Sequence, residues 1–390
     1  MRDVTLAAGV PPRDRLELTG VAGLLIFAAA LQFSIAVADI FLAVTLICWG
    51  LFVFIHDERI EVPRFFWPLV VYATLTLVSA AFSPDPRTSF IDSKQLVLFL
   101  IVPMAYQFGR GARATTVLKV VITVGAMSAA LGIIQYGLLN YNTLGQRPQG
   151  ALGHYMTYSG LLLLVIGAAI AHLLFASRDR AWTAMVMPAL FVALVLTFTR
   201  SAWVGAIAAT MLLLAMKDVR LVPIVPVAVV IVFTLAPARL TDRFHSMFDP
   251  NDPTNRDRIA MLREGRSMIA THPLTGVGPN MVQRLYATYR DPLAVERVNP
   301  HLHNVPIQIA AERGLLALAA WLWFVGVTLV DLARLHRHAR FRWLTAAALA
   351  GMVGMLTAGL FEYNFGDSEF LMLLLVLITL PFAAERTDLP

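Results

Sequence analysis

Two histidines, His301 and His303, stand where a long polar segment meets an apolar one. Asn304 can cap a helix that begins there, and Pro306 suits its first turn. The positive end of a helix dipole disfavours a charged imidazole, so a neutral His303 could accept a proton from a hydroxyl group. This pattern predicts general-base chemistry at the edge of an apolar span. The alternative is a histidine that only caps or packs there.

The polar segment 237–303 is rich in arginine and contains no lysine. A guanidinium group presents a planar fork of donors that matches phosphate oxygens, whereas an ammonium group is a point charge. The composition therefore predicts a ligand that carries phosphate, with internal salt bridges and lipid headgroups as the alternative. The arginines of the segment are Arg239, Arg243, Arg256, Arg258, Arg263, Arg266, Arg284, Arg290 and Arg297.

One helix is predictable within this segment. Thr254 or Asn255 can cap its start, and Pro273 stops it after His272. At 100° per residue the helix has one apolar face, and Arg258 falls in the middle of that face. An arginine in that place is unfavourable to bury unless an anion meets it, either a ligand or an acid of the protein. The face consists of Ile259, Met261, Leu262, Met268 and Ile269.

Arg200 is the only charged residue between Ala184 and Met216. Ionisable residues inside apolar segments are rare and by default face a cavity or a ligand. Arg200 is therefore a second candidate for binding an anion, with the polar turn of a tight hairpin as the alternative. Arg147, in another short loop, is a weaker candidate. So are Glu362 and Asp367, for which the alternative is that they are simple loop acids.

The composition indicates that membrane-spanning helices must position these histidine and arginine side chains. Of the 390 residues, 58% are hydrophobic and 14% are charged, whereas soluble domains carry roughly 25% charged residues. Apolar runs of about 20 residues, enough to cross a bilayer, recur along the chain. We predict an all-α polytopic membrane protein with about twelve transmembrane helices. The runs lie near residues 18–34, 36–55, 65–82, 95–109, 116–138, 153–176, 182–199, 201–216, 220–236, 304–331, 343–361 and 368–384.

The charges of the loops predict the orientation. If the N-terminus is cytoplasmic, the short outer loops hold only Arg87, Lys94, Arg147 and Arg200 as basic residues. This arrangement satisfies the positive-inside rule, and it also places the C-terminus in the cytoplasm. Topology then explains the net charge of +6 without a nucleic-acid partner. The mixed charges of Arg2, Asp3, Arg13 and Asp14 are a poor start for a signal peptide, so we expect the first span to be uncleaved.

The same topology divides the chain into three parts. Residues 1–236 form transmembrane helices one to nine, 237–303 form one large outer loop with helices, and 304–390 form helices ten to twelve. The single cysteine, Cys48, lies inside an apolar run and is expected to pack there.

A metal site is a further alternative, because His301 and His303 form a His-x-His pair. The nearby Asp249, Asp252 and Asp257 do not make a calcium loop, since two prolines interrupt them and the required glycine and glutamate are missing. We therefore predict no metal and no cofactor.

His303-Asn304, followed after nine residues by Gly314, resembles the signature of the bacterial O-antigen ligases. Segment 272–278 and Thr199-Arg200-Ser201 are similar to the same superfamily, which includes O-antigen polymerases and bacterial protein O-oligosaccharyltransferases. The layout of about twelve spans with one large outer loop is similar as well. Ala317 departs from the ligase signature, which prefers Gly, Thr or Tyr there, and this weakens the ligase subtype more than the superfamily.

The resemblance implies a GT-C-like enzyme of the bacterial inner membrane, with its active site on the periplasmic face. It implies metal-independent transfer of a glycan from a polyprenyl-diphosphate-linked donor to a sugar of lipid A-core. Of the family's functional residues, the base maps onto His303 and the diphosphate ligands onto Arg200 and Arg258. Polymerisation, in which a second lipid-linked glycan is the acceptor, and protein glycosylation remain open, as does a transporter for lipid or polysaccharide, although no paired repeat is visible. Further candidates for substrate binding are Arg266, His301, Arg147, Asn304 and Arg290.

Overall fold

The structure, a computed structural model, describes residues 15–386, and every regular element within that range is helical. The all-α class is therefore confirmed for this part of the chain. The expectation of an uncleaved first span rested on Arg2, Asp3, Arg13 and Asp14, which lie outside the described residues. The helices are α1 Arg15–Ala30, α2 Ile35–Ile55, α3 Phe66–Ala81, α4 Pro86–Asp92, α5 Ile101–Phe108, α6 Ala112–Gly137, α7 Tyr155–Phe175, α8 Arg180–Leu196, α9 Arg200–Lys217, α10 Ile224–Leu235, α11 Ala238–His245, α12 Pro253–Thr271, α13 Met281–Tyr289, α14 Val305–His338, α15 Arg342–Ala358 and α16 Ser368–Ala384.

Each apolar run predicted from the sequence coincides with helical structure, but the helices differ in length. Within residues 15–386, six helical stretches are long and apolar enough to cross a membrane. One of them, Pro86–Phe108, consists of α4, the 3-10 helix Ser93–Leu100 and α5. The other five are Ile35–Ile55, Ala112–Gly137, Tyr155–Phe175, Arg200–Lys217 and Val305–His338. Five further apolar helices have 10–17 residues, which is short for a bilayer that takes about 20. A multi-pass membrane protein is supported, whereas the count of about twelve crossings stays a prediction.

Helices α7 and α16 form the centre of the bundle. All but one of residues 157–172 in α7 are buried, and α16 is buried along nearly its whole length. By contrast, α2 and α10 expose apolar side chains on their outer faces, such as Phe54 and Val230. Apolar side chains without a protein neighbour are typical of helices that face lipid.

Helix α14 is interrupted at Gly314, where φ is +82° and ψ is 170°. A Cβ atom at Gly314 would lie 2.0 Å from the carbonyl oxygen of Leu274, so only glycine fits. The break leaves backbone N–H and C=O groups of α14 without partners inside the helix. These groups bond instead to segment 273–278, since buried backbone polar groups need partners. The bonds run from Val277 N to Ala311 O, from Gly278 N to Glu312 O and from Leu315 N to Pro273 O, each 2.8 Å long.

The predicted helix in the polar segment is α12, and its end agrees with the prediction because Pro273 follows two residues after Thr271. The predicted caps, Thr254 and Asn255, were wrong. Asp252 is the cap, since its carboxylate accepts from the backbone N–H groups of both residues. The Asn255 amide is engaged elsewhere and donates to carbonyl oxygens of the preceding loop, including that of Ser246 at 2.9 Å.

The predicted apolar face of α12 was only partly right. Met261 and Met268 are buried, but Ile259 and Leu262 are exposed over 47% and 42% of their surface. Compared with the predicted face, the buried face of α12 is shifted around the helix toward small and acidic residues. Other parts of the polar segment form hydrogen bonds with these acidic residues and cover this side of the helix. The members of the buried face are Asp257, Ala260, Met261, Glu264, Gly265 and Met268.

Candidate active site

The start of α14 positions His303. The side chain of Asn304 accepts from the backbone N–H of Ile307 at 3.0 Å, and its amide donates to the carbonyl oxygen of Leu360 at 3.0 Å. The predicted cap is therefore confirmed. His303 itself has a φ of +48°, which is uncommon for a residue with a side chain. The loop after α15 thus holds the backbone that carries this imidazole.

Glu362 lies against both histidines of the predicted pair. Nδ1 of His303 is 3.0 Å from Oε2 of Glu362, and Nε2 of His301 is 3.7 Å from Oε1. The two imidazole rings lie with their centroids 4.1 Å apart. One ligand atom from each of the three side chains lies within 4.8 Å of the others. The structure therefore adds a carboxylate to the two histidines.

The charge states within this group follow from its surroundings. Burial would raise the pKa of Glu362, but His303, His301 and the backbone N–H of Tyr363 lower it to about 2. Burial, with the adjacent His303, lowers the pKa of His301 to about 4. Glu362 is thus a carboxylate at neutral pH, and it can only accept. The proton of a neutral His303 therefore sits on Nδ1, which leaves a lone pair on Nε2.

His303 lies on a wall between two cavities. The larger has a volume of about 480 Å³, and the smaller has about 320 Å³. The side chains that line both cavities are Arg200, Ser201, Arg258 and His303. The structure thus brings the predicted base and both predicted diphosphate ligands to one place.

The larger cavity is mainly apolar apart from this shared wall. Its lining comes from α9, α12, the loops that follow α11 and α15, and residues 302–304 before α14. Several of its apolar side chains are exposed, Phe248 over 73% and Leu360 over 51% of their surface. A lipid chain is the kind of ligand that would cover such a surface. The apolar lining consists of Val204, Met247, Phe248, Pro250, Ile259, Leu262, Leu302, Leu360 and Phe361.

The smaller cavity is basic. Arg147, Arg200, Arg243 and Arg258 line it, together with three acids (Asp257, Glu296 and Glu362), His303 and neutral residues. Burial, assisted by the charges of Arg200 and Arg147, lowers the pKa of Arg243 to about 10. Burial is also the largest cause of the lowered pKa values of Arg147 and Arg258. All three groups remain cationic at neutral pH, and an anionic ligand would relieve their mutual repulsion.

Arg200 is held rigidly within this arrangement. Its side chain is 3% exposed, and its Nη2 lies 3.2 Å from Oδ1 of Asp252. Its Nη1 donates to the carbonyl and hydroxyl oxygens of Ser246, at 2.9 and 3.0 Å. The arginine thus joins the start of α9 to the end of α11 and to the cap of α12.

Arg258 differs from Arg200 because it has no such partners. Within residues 15–386, its guanidinium group forms no hydrogen bond or ion pair and lies 5.8 Å from the ring of Phe361. It is partly buried and lines both cavities. The sequence left two partners open for Arg258, an acid of the protein or an anionic ligand. The charge of Glu362 favours the guanidinium form, but no acid among the described residues forms a direct ion pair with it, which leaves its donors available to a ligand.

The remaining predicted residues divide into two groups. Arg147 stacks 4.2 Å above the ring of Tyr155 in the basic cavity, and Asn304 lines the apolar one. His301 lines a third cavity of about 170 Å³ that Glu362 also borders. Arg266 is exposed and lines neither cavity, and Arg290 donates to carbonyl oxygens of its own loop, including Ala294 O at 2.8 Å. The structure does not bring these last two to the site.

Sequence reasoning undervalued or missed three residues of this site. Glu362 counted only as a weak loop acid, since it is 59 residues from His303. Arg243 was one arginine among many in the polar segment, and Tyr155 was not considered. The local signal for Glu362 was its place in a short loop between two apolar spans, a loop that the sequence predicts to lie on the same side as His303.

Residues 184–322 match the family model described as O-antigen ligase. The match confirms the resemblance over this range, and the family implies a glycosyltransferase-like enzyme. Arg200, Arg258 and His303 lie inside the matched range, whereas Arg147 and Glu362 lie outside it. No curated protein matches the chain.

Proposed function

We propose that this protein is a glycosyltransferase of the O-antigen ligase type in the bacterial inner membrane. The donor is a glycan linked to a polyprenyl diphosphate, and the acceptor is a hydroxyl group of a sugar in lipid A-core. The reaction takes place at the periplasmic end of the helix bundle. The reaction needs no metal or cofactor.

One observation carries the proposal. An apolar cavity and an arginine-lined cavity meet at a wall that contains His303, Arg200 and Arg258. A polyprenyl diphosphate has the same division, since an apolar chain adjoins a doubly charged headgroup. The arrangement supports a donor whose chain occupies the apolar cavity, while its diphosphate lies against the arginines and its first sugar near His303.

The proposed reaction is one displacement at the anomeric carbon of the donor sugar. Nε2 of His303 takes the proton of the acceptor hydroxyl as the oxygen forms a bond to that carbon. The bond between the carbon and the diphosphate oxygen breaks, and the polyprenyl diphosphate leaves with the electron pair. Glu362 holds the imidazole in the required tautomer and stabilises the imidazolium form.

The arginines have different tasks in this proposal. Arg258 forms charge-assisted bonds with the diphosphate, and these strengthen as negative charge develops on the leaving group. Arg243 and Arg147 add positive charge from the far side of the basic cavity. Arg200 already bonds to Ser246 and Asp252, so it mainly positions α12, and therefore Arg258, beside the reacting atoms.

The test is a reconstituted assay with the full chain in liposomes, a defined polyprenyl-diphosphate glycan and purified lipid A-core. His303→Ala should lower the rate by about 10²- to 10⁴-fold, the usual contribution of a general base. His272→Ala, an exposed histidine outside all three cavities, is the matched control and should keep the rate of the wild type. Near-normal transfer by His303→Ala would refute the base assignment.

The acceptor is tested separately by offering lipid A-core in one reaction and only a second molecule of donor in another. Ligation predicts product in the first reaction alone. Chain extension in the second reaction, without transfer to lipid A-core, would replace the ligase proposal with a polymerase.

A further inference from the structure

We propose that His301, His303 and Glu362 form an inhibitory binding site for zinc or a similar transition-metal ion. This inference adds a means of inhibition to the proposed function. Only the predicted inhibition of glycan transfer rests on that function. The binding itself depends on the three side chains alone. The sequence showed just the His-x-His pair, and the third ligand becomes visible only because the fold places Glu362 beside it.

The spacing of the ligand atoms fits a tetrahedral ion. With zinc–ligand bonds of about 2.0–2.2 Å, the ligand atoms of a tetrahedral site lie roughly 3.3–3.6 Å apart. Nδ1 of His303 is 3.0 Å from Oε2 of Glu362, and Nε2 of His301 is 3.7 Å from Oε1. One ligand atom from each side chain lies within 4.8 Å of the others, so the side chains must move closer together to reach tetrahedral spacing. A fourth position then stays open for water, as in three-ligand zinc sites.

The ligand types favour zinc over magnesium. Imidazole nitrogen suits zinc, copper and nickel, whereas magnesium prefers oxygen ligands in an octahedron. The site is also accessible, since the three side chains keep between 14% and 26% of their surface exposed. One imidazole nitrogen of His301, Nδ1, is buried without a partner among the described residues.

Binding of a metal would remove the base from the reaction. His303 faces Glu362 with Nδ1, so the ion would bind Nδ1 and shift the ring proton to Nε2. No proton is released in this step, because a neutral imidazole carries one hydrogen on either nitrogen. An Nε2 that carries the proton has no lone pair for the acceptor hydroxyl. The ion would also neutralise the Glu362 carboxylate that orients the ring.

Binding is measured first, without any substrate. Isothermal titration of the purified full-length protein with Zn²⁺, and the visible absorption of bound Co²⁺, should show one saturable site of tetrahedral type. His301→Ala and Glu362→Gln should each weaken binding by about tenfold or more, because loss of even an indirect ligand contact costs 10- to 100-fold. His272→Ala should bind like the wild type.

Inhibition is measured second, with the rate of each protein divided by its own rate without metal. Zn²⁺ should inhibit the wild type and His272→Ala alike, Mg²⁺ should not inhibit, and His301→Ala should need about tenfold more Zn²⁺ for the same effect. No saturable binding to the wild type, or equal affinity in His301→Ala, would overturn the site. Saturable binding in a protein that transfers no glycan would retain the metal site and reject only the proposed function.

Discussion

Nδ1 of His303 lies 3.0 Å from Oε2 of Glu362, although 59 residues separate them. The pair joins the start of α14 to the loop after α15. Next to it, the backbone N–H of Val305 donates to the carbonyl oxygen of Gly359 at 2.7 Å. The carboxylate is therefore fixed where it can accept the Nδ1 proton, which leaves the lone pair on Nε2 of His303, a residue that lines both cavities.

Glu362→Gln should lower kcat for glycan transfer by about 10- to 100-fold, with the KM for donor nearly unchanged. Glutamine keeps the size of the side chain but loses the charge that stabilises the imidazolium form, so the reaction step should slow. Glu362 is an acid on the lining of the basic cavity, so the loss of its charge does not weaken the attraction of an anionic donor. Steady-state kinetics with varied donor separate the two. Glu385→Gln, at the opposite end of the bundle, is the control. A rise in donor KM with unchanged kcat would contradict the positioning role.

The helices and the position of His303 at a helix start were predictable from the sequence, because the signals for both are local. Apolar runs of the right length predict helices wherever they occur, and the cap at Asn304 needs only the residues that follow it. Glu362 was not predictable in the same way, because its partner is distant along the chain and only packing of α14 against α15 brings them together. Asp252 was missed as a cap for a different reason. Its carboxylate competes with two other good capping side chains, and the tertiary bond to Arg200 favours it.

The polar segment shows the same limit for its arginines. Helical spacing correctly placed Arg258 beside Ile259 and Leu262, but it could not show whether that face meets protein or a cavity. Arg266 and Arg290 satisfied the same compositional argument, and the structure leaves them away from the shared wall. Composition thus predicted that the ligand carries phosphate. Which of the arginines lie at the candidate site could be seen only in the folded structure.

Arg258→Ala should weaken donor binding by about 10- to 100-fold, because a hydrogen bond to a charged group contributes about 1.5–3 kcal/mol. Arg258→Lys should recover only part of the loss, since an ammonium group cannot form the paired bonds of a guanidinium. Binding of a fluorescent short-chain polyprenyl diphosphate measures this directly. Arg266→Ala removes the same charge from the exposed side of the same helix and should bind normally. Equal losses in both alanine variants would show a general charge effect.

Arg200 and Asp252 should act as a coupled pair in stability. Arg200→Ala removes one donor from each of the two Ser246 oxygens and the ion-pair partner of the largely buried Asp252 carboxylate, which should destabilise the fold by about 2–3 kcal/mol. Asp252→Asn keeps a capping oxygen for α12 and should cost less. Thermal unfolding in detergent measures both single variants and the double variant. If the two losses simply add, the ion pair at 3.2 Å contributes nothing.

Gly314→Ala should destabilise the protein and lower transfer together. The substitution puts a Cβ 2.0 Å from the carbonyl oxygen of Leu274 in a backbone conformation that favours glycine, and the conformation alone costs about 1–3 kcal/mol. Since segment 272–278 is bonded to the break in α14, its displacement should also disturb His303 at the start of that helix. Gly326→Ala is the matched control, because the same helix has open space there and alanine favours a helix by up to about 1 kcal/mol. The apparent melting temperature and the transfer rate, measured on both variants, should fall only for Gly314→Ala. A stable Gly314→Ala protein with normal transfer would mean that the break in α14 is not needed to place the imidazole.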